Sequence, residues 1–201
     1  KISKQLLSEV KEKYPNCIIV FGGWQAPMSD RSQGFFKEHP YVDIIVHGEG
    51  EIIFGNILIE NLKSKPDWSK VRGCSIPHKM VTGDAVSSNV EHGLRVIGQQ
   101  ANLDADPLDT FVTEPQPRIA DLTSMPSPYL NGLFDELISD PDCVFDLEAT
   151  IETTRGCPYA CTYCEIGTKY YQRIKYHTLE KIYSEIDWLS DNKVVFGYNA
   201  D

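Results

Sequence analysis

The chain has 201 residues, of which 41% are hydrophobic and 24% charged, and it carries a formal net charge of -10. This length fits one or two domains, and no stretch approaches the ~20 consecutive apolar residues that a membrane-spanning helix requires. The acidic balance argues against nonspecific binding to a nucleic-acid backbone, which needs a clustered basic surface. We therefore expect a globular protein that binds neither nucleic acid nor a membrane.

The amino-terminal segment alternates charged and apolar residues at helical spacing, unlike a signal peptide. It predicts an amphipathic helix over residues 3–14, with Ile2, Leu6, Leu7 and Val10 on one side. Because the first residue is not methionine and the chain stops directly after an apolar run, we expect a fragment of a longer protein.

Two continuous apolar runs, "CIIVFGG" and "VDIIVHGEGE", predict strands buried on both faces, each ending in glycine. The segments "GFFKEH" and "IIFGNILIENLK" predict the helices that follow them. This order is typical of an α/β fold with a parallel sheet and right-handed crossovers, and we expect residues 1–65 to be the C-terminal part of such a Rossmann-like sheet. Such sheets bind ligands at the carboxyl ends of their strands, which here carry Gly22, Gly23, Gly48 and Gly50.

A connector is predicted over residues 66–143, because proline, aspartate, serine and glutamine crowd much of this segment. Within it, "VRGCSI" and "LRVIG" could form short strands, and "NGLFDELISD" predicts a short helix. The domain boundaries that follow are 1–65 for the sheet, 66–143 for the connector and 144–201 for the remainder.

Residues 144–201 predict one βαβ unit. The strand "VFDLEATIETTRG" leads into a cysteine-rich loop, and "KVVFGYNAD" is the second strand. Between them lies a helix with Thr178 as its N-cap. Its predicted apolar stripe consists of Leu179, Ile182, Ile186 and Leu189.

Three of the six cysteines, Cys157, Cys161 and Cys164, follow the spacing C-x3-C-x2-C, which indicates metal binding in a reducing compartment. Structural zinc sites and electron-transfer clusters normally take four protein ligands. A cubane cluster held by three thiolates leaves one iron open to a small chelating molecule. Of the other cysteines, Cys17 stands in an apolar run and is predicted to be a small core residue.

These residues leave three kinds of function open. The first is an enzyme that uses the open iron, and the second is an iron–sulfur electron-transfer or cluster-carrier module. The third is a zinc-binding structural domain. Arg155, immediately before the loop, could offset the negative charge of a thiolate-bound cluster.

The cysteine spacing, with Tyr163 before the last cysteine and a strand and helix on either side, resembles the radical S-adenosylmethionine (SAM) enzymes. The resemblance implies that the three thiolates hold a [4Fe-4S] cluster and that SAM binds its fourth iron. It further implies reductive cleavage of SAM to a 5′-deoxyadenosyl radical, with Tyr163 near the adenine. The family's glycine-rich contact to the SAM amino group is missing, and Asn199 and Asp201 are the nearest substitutes. The βαβ unit would open a partial (β/α)6 barrel.

The upstream half resembles the cobalamin-binding domain and linker that precede this barrel in B12-dependent radical SAM proteins. The resemblance is carried by "IIVFGGWQAP", "VDIIVHGEGE" and "RIADLTSMPSPYL". It implies cobalamin contacts from the pair Gly22 and Gly23 and from Gly48, Glu49 and Gly50. The D-x-H-x-x-G motif, which supplies a lower cobalt ligand in some cobalamin domains, does not occur in these residues.

The resemblance thus implies methylation of an unactivated carbon on a small-molecule substrate, or a related radical rearrangement or cyclisation. It also implies an external electron donor such as flavodoxin or ferredoxin, and a location in the cytoplasm. We expect no turnover from these 201 residues alone, because half a Rossmann-like sheet and the opening of a barrel leave unpaired strand edges.

Overall fold

The computed structural model describes residues 2–81, 109–143, 146–159, 161–164, 170–192 and 194–200. The chain forms two compact units, Lys1–Arg118 and Ile119–Asp201. Within the described residues, no helix is both long enough and apolar enough to cross a membrane. The predicted strand "LRVIG" lies outside the described residues.

The first unit is a mixed four-stranded sheet in the order β1-β2-β3-β4. The strands are β1 (Val20–Phe21), β2 (Ile44–Val46), β3 (Cys74–Pro77) and β4 (Thr110–Val112). The helices are α1 (Ile2–Lys13), α2 (Ser32–Glu38), α3 (Gly50–Asn61) and α4 (His78–Val81). The α/β class and the predicted helices are confirmed.

The prediction of a wholly parallel sheet is wrong for the direction of two strands. β1 and β2 are parallel, but β3 and β4 join antiparallel to their neighbours. Both antiparallel strands come from the segment predicted as connector, and β3 contains the "CSI" of "VRGCSI". The chain passes from β2 through α3 and a short 3-10 helix, Trp68–Lys70, into β3, which runs antiparallel to β2.

The core of this unit lies on both faces of β2, because successive side chains of a strand point to opposite sides. Ile44 and Val46 pack with the α3 residues Ile53 and Ile57. Ile45 belongs to a second cluster, with Phe36 of α2 and partly buried Leu7 of α1. Helices therefore cover both faces of the sheet.

Three predictions about burial in this unit are wrong. Leu6 is exposed although the helical pattern places it with Leu7, and β1 is half-buried rather than enclosed on both faces. Cys17 is exposed, because the chain is still turning away from α1 at this point and the strand begins three residues later. Cys74 is the buried thiol, and burial raises its pKa to about 12.

The second unit contains the predicted βαβ arrangement. β5 (Glu148–Ile151) and β8 (Phe196–Asn199) are parallel, and α6 (Leu179–Asp191) connects them. A two-stranded antiparallel hairpin of β6 (Thr154–Arg155) and β7 (Lys175–Tyr176) is inserted between β5 and α6. The predicted short helix is α5 (Asp135–Ser139).

Thr178 caps α6 as predicted, since its side chain accepts a hydrogen bond from the Lys181 amide at 3.3 Å. The predicted apolar stripe is only partly correct: Leu189 is buried, but Leu179 and Ile186 are exposed. Glu185, which the pattern assigns to no buried face, is enclosed and pairs with Lys181 at 2.9 Å.

Candidate functional site

The cysteine loop connects β6 to β7, the two strands of the hairpin in the second unit. The His177 amide donates to the Thr153 carbonyl at 3.0 Å, and Arg155 lies opposite Lys175 in the register of the two strands. Further along the loop, the Cys157 amide donates to the Tyr171 carbonyl at 2.9 Å. The two ends of the loop are therefore held together by a backbone ladder that continues as far as the first cysteine.

Gly156 makes this close approach possible. Its φ is +125°, a conformation that residues with a side chain rarely adopt. A Cβ atom added there would lie 2.7 Å from the Tyr171 carbonyl oxygen and 2.8 Å from that of Arg173. Both neighbours are backbone atoms, so the packing at Gly156 fixes the backbone position of Cys157.

The three predicted ligands are free, half-buried thiols. Cys161 and Cys164 share a turn in which the Cys164 amide donates to the Cys161 carbonyl at 3.1 Å. Among the described residues, no three histidine, cysteine, aspartate or glutamate side chains are gathered closely enough to hold a metal ion. The chemistry of the donor set still fits a cluster, because three accessible thiols on one short loop supply the soft ligands that iron–sulfur sites use. The ligand roles of Cys157, Cys161 and Cys164 stay a prediction.

A carboxylate, a guanidinium and an imidazole meet at the base of the loop. Arg155 donates from Nε and Nη2 to the two carboxylate oxygens of Glu152, at 2.8 and 2.7 Å. The Nε2 of His177 lies 3.3 Å from Oε2 of the same carboxylate. We predicted Arg155 for this region, but sequence reasoning missed Glu152 and His177. These two residues are twenty-five positions apart in sequence, so only the register of the hairpin reveals their contact.

Burial by itself would raise the pKa of Glu152. The hydrogen bonds and positive charge of Arg155, followed by the contact with His177, outweigh that effect and hold the pKa below its usual value. The carboxylate is therefore ionised at neutral pH and keeps the guanidinium in a two-point contact.

The three predicted SAM contacts have different surroundings where the structure describes them. The side chain of Tyr163 is 90% exposed. Asn199 ends β8 opposite Ile151, the last residue of β5, so it lies at the sheet edge from which the cysteine loop departs. Asp201 lies outside the described residues.

The predicted cobalamin glycines follow β1 and β2, whose parallel pairing brings both turns to one edge of the first sheet. Gly23 and Gly48 have φ values of +80° and +85°, and a Cβ on Gly23 would meet no atom within 4 Å. Gly22 and Gly50 both lie against Val46, at ordinary contact distances for an added Cβ. The turns therefore present backbone at this edge.

Glu49 has a different environment from the one that a solvent-facing cofactor contact suggests. Its carboxylate accepts a hydrogen bond from Arg118 Nε at 2.7 Å, and the two side chains are 4% and 8% exposed. Nearby, His47 Nε2 lies 2.7 Å from Ser75 Oγ. Burial lowers the pKa of His47, an effect that a hydrogen bond to the Pro27 backbone partly opposes.

The described residues thus form an α/β protein of two units, a mixed sheet with two glycine turns at one edge and a βαβ unit that carries three thiols. No family model matches the chain. It is 34% identical over 188 residues to 2-(S-pantetheinyl)-carbapenam-3-carboxylate methyltransferase of Streptantibioticus cattleyicolor. It is 32% identical over 186 residues to the cobalamin-dependent radical SAM methyltransferase TokK of Streptomyces tokunonensis.

Both matches cover 92% of this chain and 23% of the relative, so the chain spans about a quarter of the length of these curated proteins. A third relative is the anaerobic magnesium-protoporphyrin IX monomethyl ester cyclase of Cereibacter sphaeroides. It is 25% identical over 100% of this chain, which covers 28% of its length.

Among solved structures, the radical S-adenosylmethionine methyltransferase TsrM from Kitasatospora setae, with tryptophan and a SAM analogue bound, aligns with 99% of this chain and 32% of its own. The TM-score is 0.53 at 15% identity, which establishes a shared fold. The chain is thus homologous to a segment of the cobalamin-dependent radical SAM methyltransferases, and the predicted resemblance is confirmed.

Proposed function

We propose that the protein containing this chain is a cobalamin-dependent radical SAM methyltransferase that methylates an unactivated carbon of a small molecule. The observation that carries this proposal is the identity of 34% and 32% to two methyltransferases over 92% of the chain. The matched region includes both the glycine turns and the cysteine loop.

Cys157, Cys161 and Cys164 would hold a [4Fe-4S] cluster and leave its fourth iron to SAM. When bound, the cluster supplies the electron for reductive cleavage of SAM, and cobalamin supplies a carrier for the methyl group. The chain's own residues bind and orient these groups. The backbone ladder places Cys157, and the sheet edge places Asn199 beside the start of the loop.

The first unit would bind cobalamin along the edge that carries Gly22, Gly23, Gly48 and Gly50. The open space beside Gly23 and the backbone exposed by the two positive-φ glycines support this assignment. Because the carboxylate of Glu49 is engaged by Arg118, the cobalamin contact at that position would come from its backbone rather than its side chain.

Radical cyclisation is the second candidate function, because a cyclase is 25% identical over the whole chain. The higher identity to two methyltransferases favours methyl transfer. For the electron we propose an external donor such as flavodoxin or ferredoxin in a reducing compartment, consistent with six free cysteines among the described residues.

The test uses the full-length protein, purified without oxygen and reconstituted with iron, sulfide and cobalamin. If the protein is a methyltransferase, it should form 5′-deoxyadenosine and S-adenosylhomocysteine from SAM under reducing conditions. Cys161→Ala should abolish both products, whereas Cys17→Ala, at an exposed cysteine, should keep them. A cluster spectrum that does not respond to SAM would instead indicate a carrier module, and tightly held zinc without acid-labile sulfide would indicate a structural domain.

A further inference from the structure

The contacts at the base of the cysteine loop connect three separate segments. Glu152 directly follows β5, Arg155 belongs to β6, and His177 stands between β7 and α6. One carboxylate oxygen, Oε2, accepts from Arg155 at 2.7 Å and lies 3.3 Å from His177 Nε2. The network therefore joins the outgoing and the returning strand of the loop through side chains, in addition to the backbone ladder.

This network is enclosed rather than a loose surface ion pair. The side chain of His177 is 2% exposed and that of Arg155 is 15% exposed, while Glu152 is 30% exposed. Exposed ion pairs contribute little because water competes for both partners. Here the guanidinium is held at two points by a carboxylate that also contacts the buried ring of His177, so its position is well defined.

The network lies next to the first predicted ligand. Arg155 precedes Cys157 by two residues, which limits their Cα atoms to roughly 7 Å apart. Gly156 between them is fixed against the Tyr171 and Arg173 carbonyls, and the Cys157 amide is bonded to Tyr171. Any displacement of Arg155 is therefore transmitted to Cys157 through one rigid residue.

The charges around this base are unusual for so acidic a chain. The chain's net charge is -10, yet Arg155 and Lys175 stand on the two strands that frame the loop, and Arg173 lies two residues before β7. Lys175 itself donates to the Ile119 carbonyl within this unit. Thiolate ligands and a bound cluster are anionic, so positive charge here stabilises both and makes the cluster easier to reduce.

We propose that Glu152, Arg155 and His177 are positioning residues that fix Cys157 and set the reduction potential of the cluster held there. Arg155 contributes the positive charge, Glu152 orients and partly offsets it, and His177 supports the carboxylate. This inference rests on the proposed function, because it requires a cluster at the three cysteines.

The experiment compares Arg155→Gln and Glu152→Gln in the full-length protein, reconstituted anaerobically with ferrous iron and sulfide. Redox titration followed by electron paramagnetic resonance should give a more negative cluster midpoint for Arg155→Gln and a less negative one for Glu152→Gln. Iron affinity should fall about tenfold in both, the usual effect of removing a residue that orients a ligand. A merely structural role would not move the two midpoints in opposite directions.

Midpoints that stay at the wild-type value, or that move in the same direction, would overturn the inference. If Arg155→Gln retains too little cluster to titrate, Arg155→Lys decides, because lysine keeps the charge without the two-point contact. Its iron affinity should fall while its midpoint stays near wild type, and unchanged affinity would refute the positioning role. Asp67→Asn, in an exposed ion pair with Lys70 of the other unit, is the matched control.

The two proposals fail in different ways. Wild-type protein that binds no [4Fe-4S] cluster, or binds one without cleaving SAM, contradicts the proposed function. Wild-type protein that does both, with network variants indistinguishable from it in iron affinity and midpoint, contradicts this inference alone.

Discussion

Replacing Gly156 with alanine tests whether the start of the cysteine loop is held as tightly as the structure indicates. At this position φ is +125°, and the new Cβ would lie 2.7 and 2.8 Å from the carbonyl oxygens of Tyr171 and Arg173. Neither oxygen can rotate away, because both belong to the backbone of the returning chain. The hairpin must therefore open or Cys157 must move.

The expected magnitude follows from two terms. A residue with a side chain in a sparsely populated backbone conformation costs about 1–3 kcal/mol. Weakening the bond from the Cys157 amide to the Tyr171 carbonyl adds about 0.5–1.5 kcal/mol. We expect Gly156→Ala to lower the free energy of unfolding by about 2–4 kcal/mol, and iron incorporation to fall with it.

Urea unfolding of the full-length protein, monitored by circular dichroism, measures the first effect, and iron per chain after reconstitution measures the second. Gly197→Ala is the control in the same unit, since its Cβ would meet only Leu189 Cδ1 at 3.9 Å. A Gly156→Ala protein within about 0.5 kcal/mol of wild type, with normal iron content, would refute the assignment of Gly156 as a fixed point.

Two further predictions concern the first unit. Glu49→Gln should lower the free energy of unfolding by about 3 kcal/mol, because it removes the charge facing buried Arg118. The double variant Glu49→Leu/Arg118→Met should recover part of this loss in urea titrations. A strictly additive effect in the double variant would contradict the pairing. Burial lowers the pKa of His47 below its usual 6.5, so the unfolded chain binds more protons and stability falls as pH drops below 6.5. His47→Asn should therefore flatten the stability profile between pH 6.5 and 5, and an unchanged slope would exclude His47 as its source.

The parts of the fold that the sequence predicts well are those where local pattern and burial agree. β2 is an unbroken apolar run and is buried on both sides, and α6 begins at its predicted cap, Thr178. The βαβ unit follows from the order of such elements. Where Pro and polar residues dilute the pattern, as in β3 and β4, the strand direction depends on pairing between distant segments, which local pattern does not contain.

The candidate site divides in the same way. The spacing of Cys157, Cys161 and Cys164 is visible in one short stretch of sequence, because a cluster constrains the separation of its own ligands. The residues that support them are set by three-dimensional register instead. Glu152 and His177 meet because β6 and β7 pair as a hairpin, and either residue alone resembles an ordinary polar side chain.

This difference explains why the sequence does not reveal the contact between Glu49 and Arg118. The sequence places Glu49 in a glycine-rich turn at the carboxyl end of β2, where a ligand-facing carboxylate and a buried structural one have the same local pattern. Its partner, Arg118, is sixty-nine residues away and ends the first unit. A buried carboxylate requires such a partner, since an unpaired charge in this environment would be protonated or would destabilise the fold. The glycines on either side need no partner, because their contribution to a ligand is an unobstructed backbone, and that contribution follows from the residue type itself.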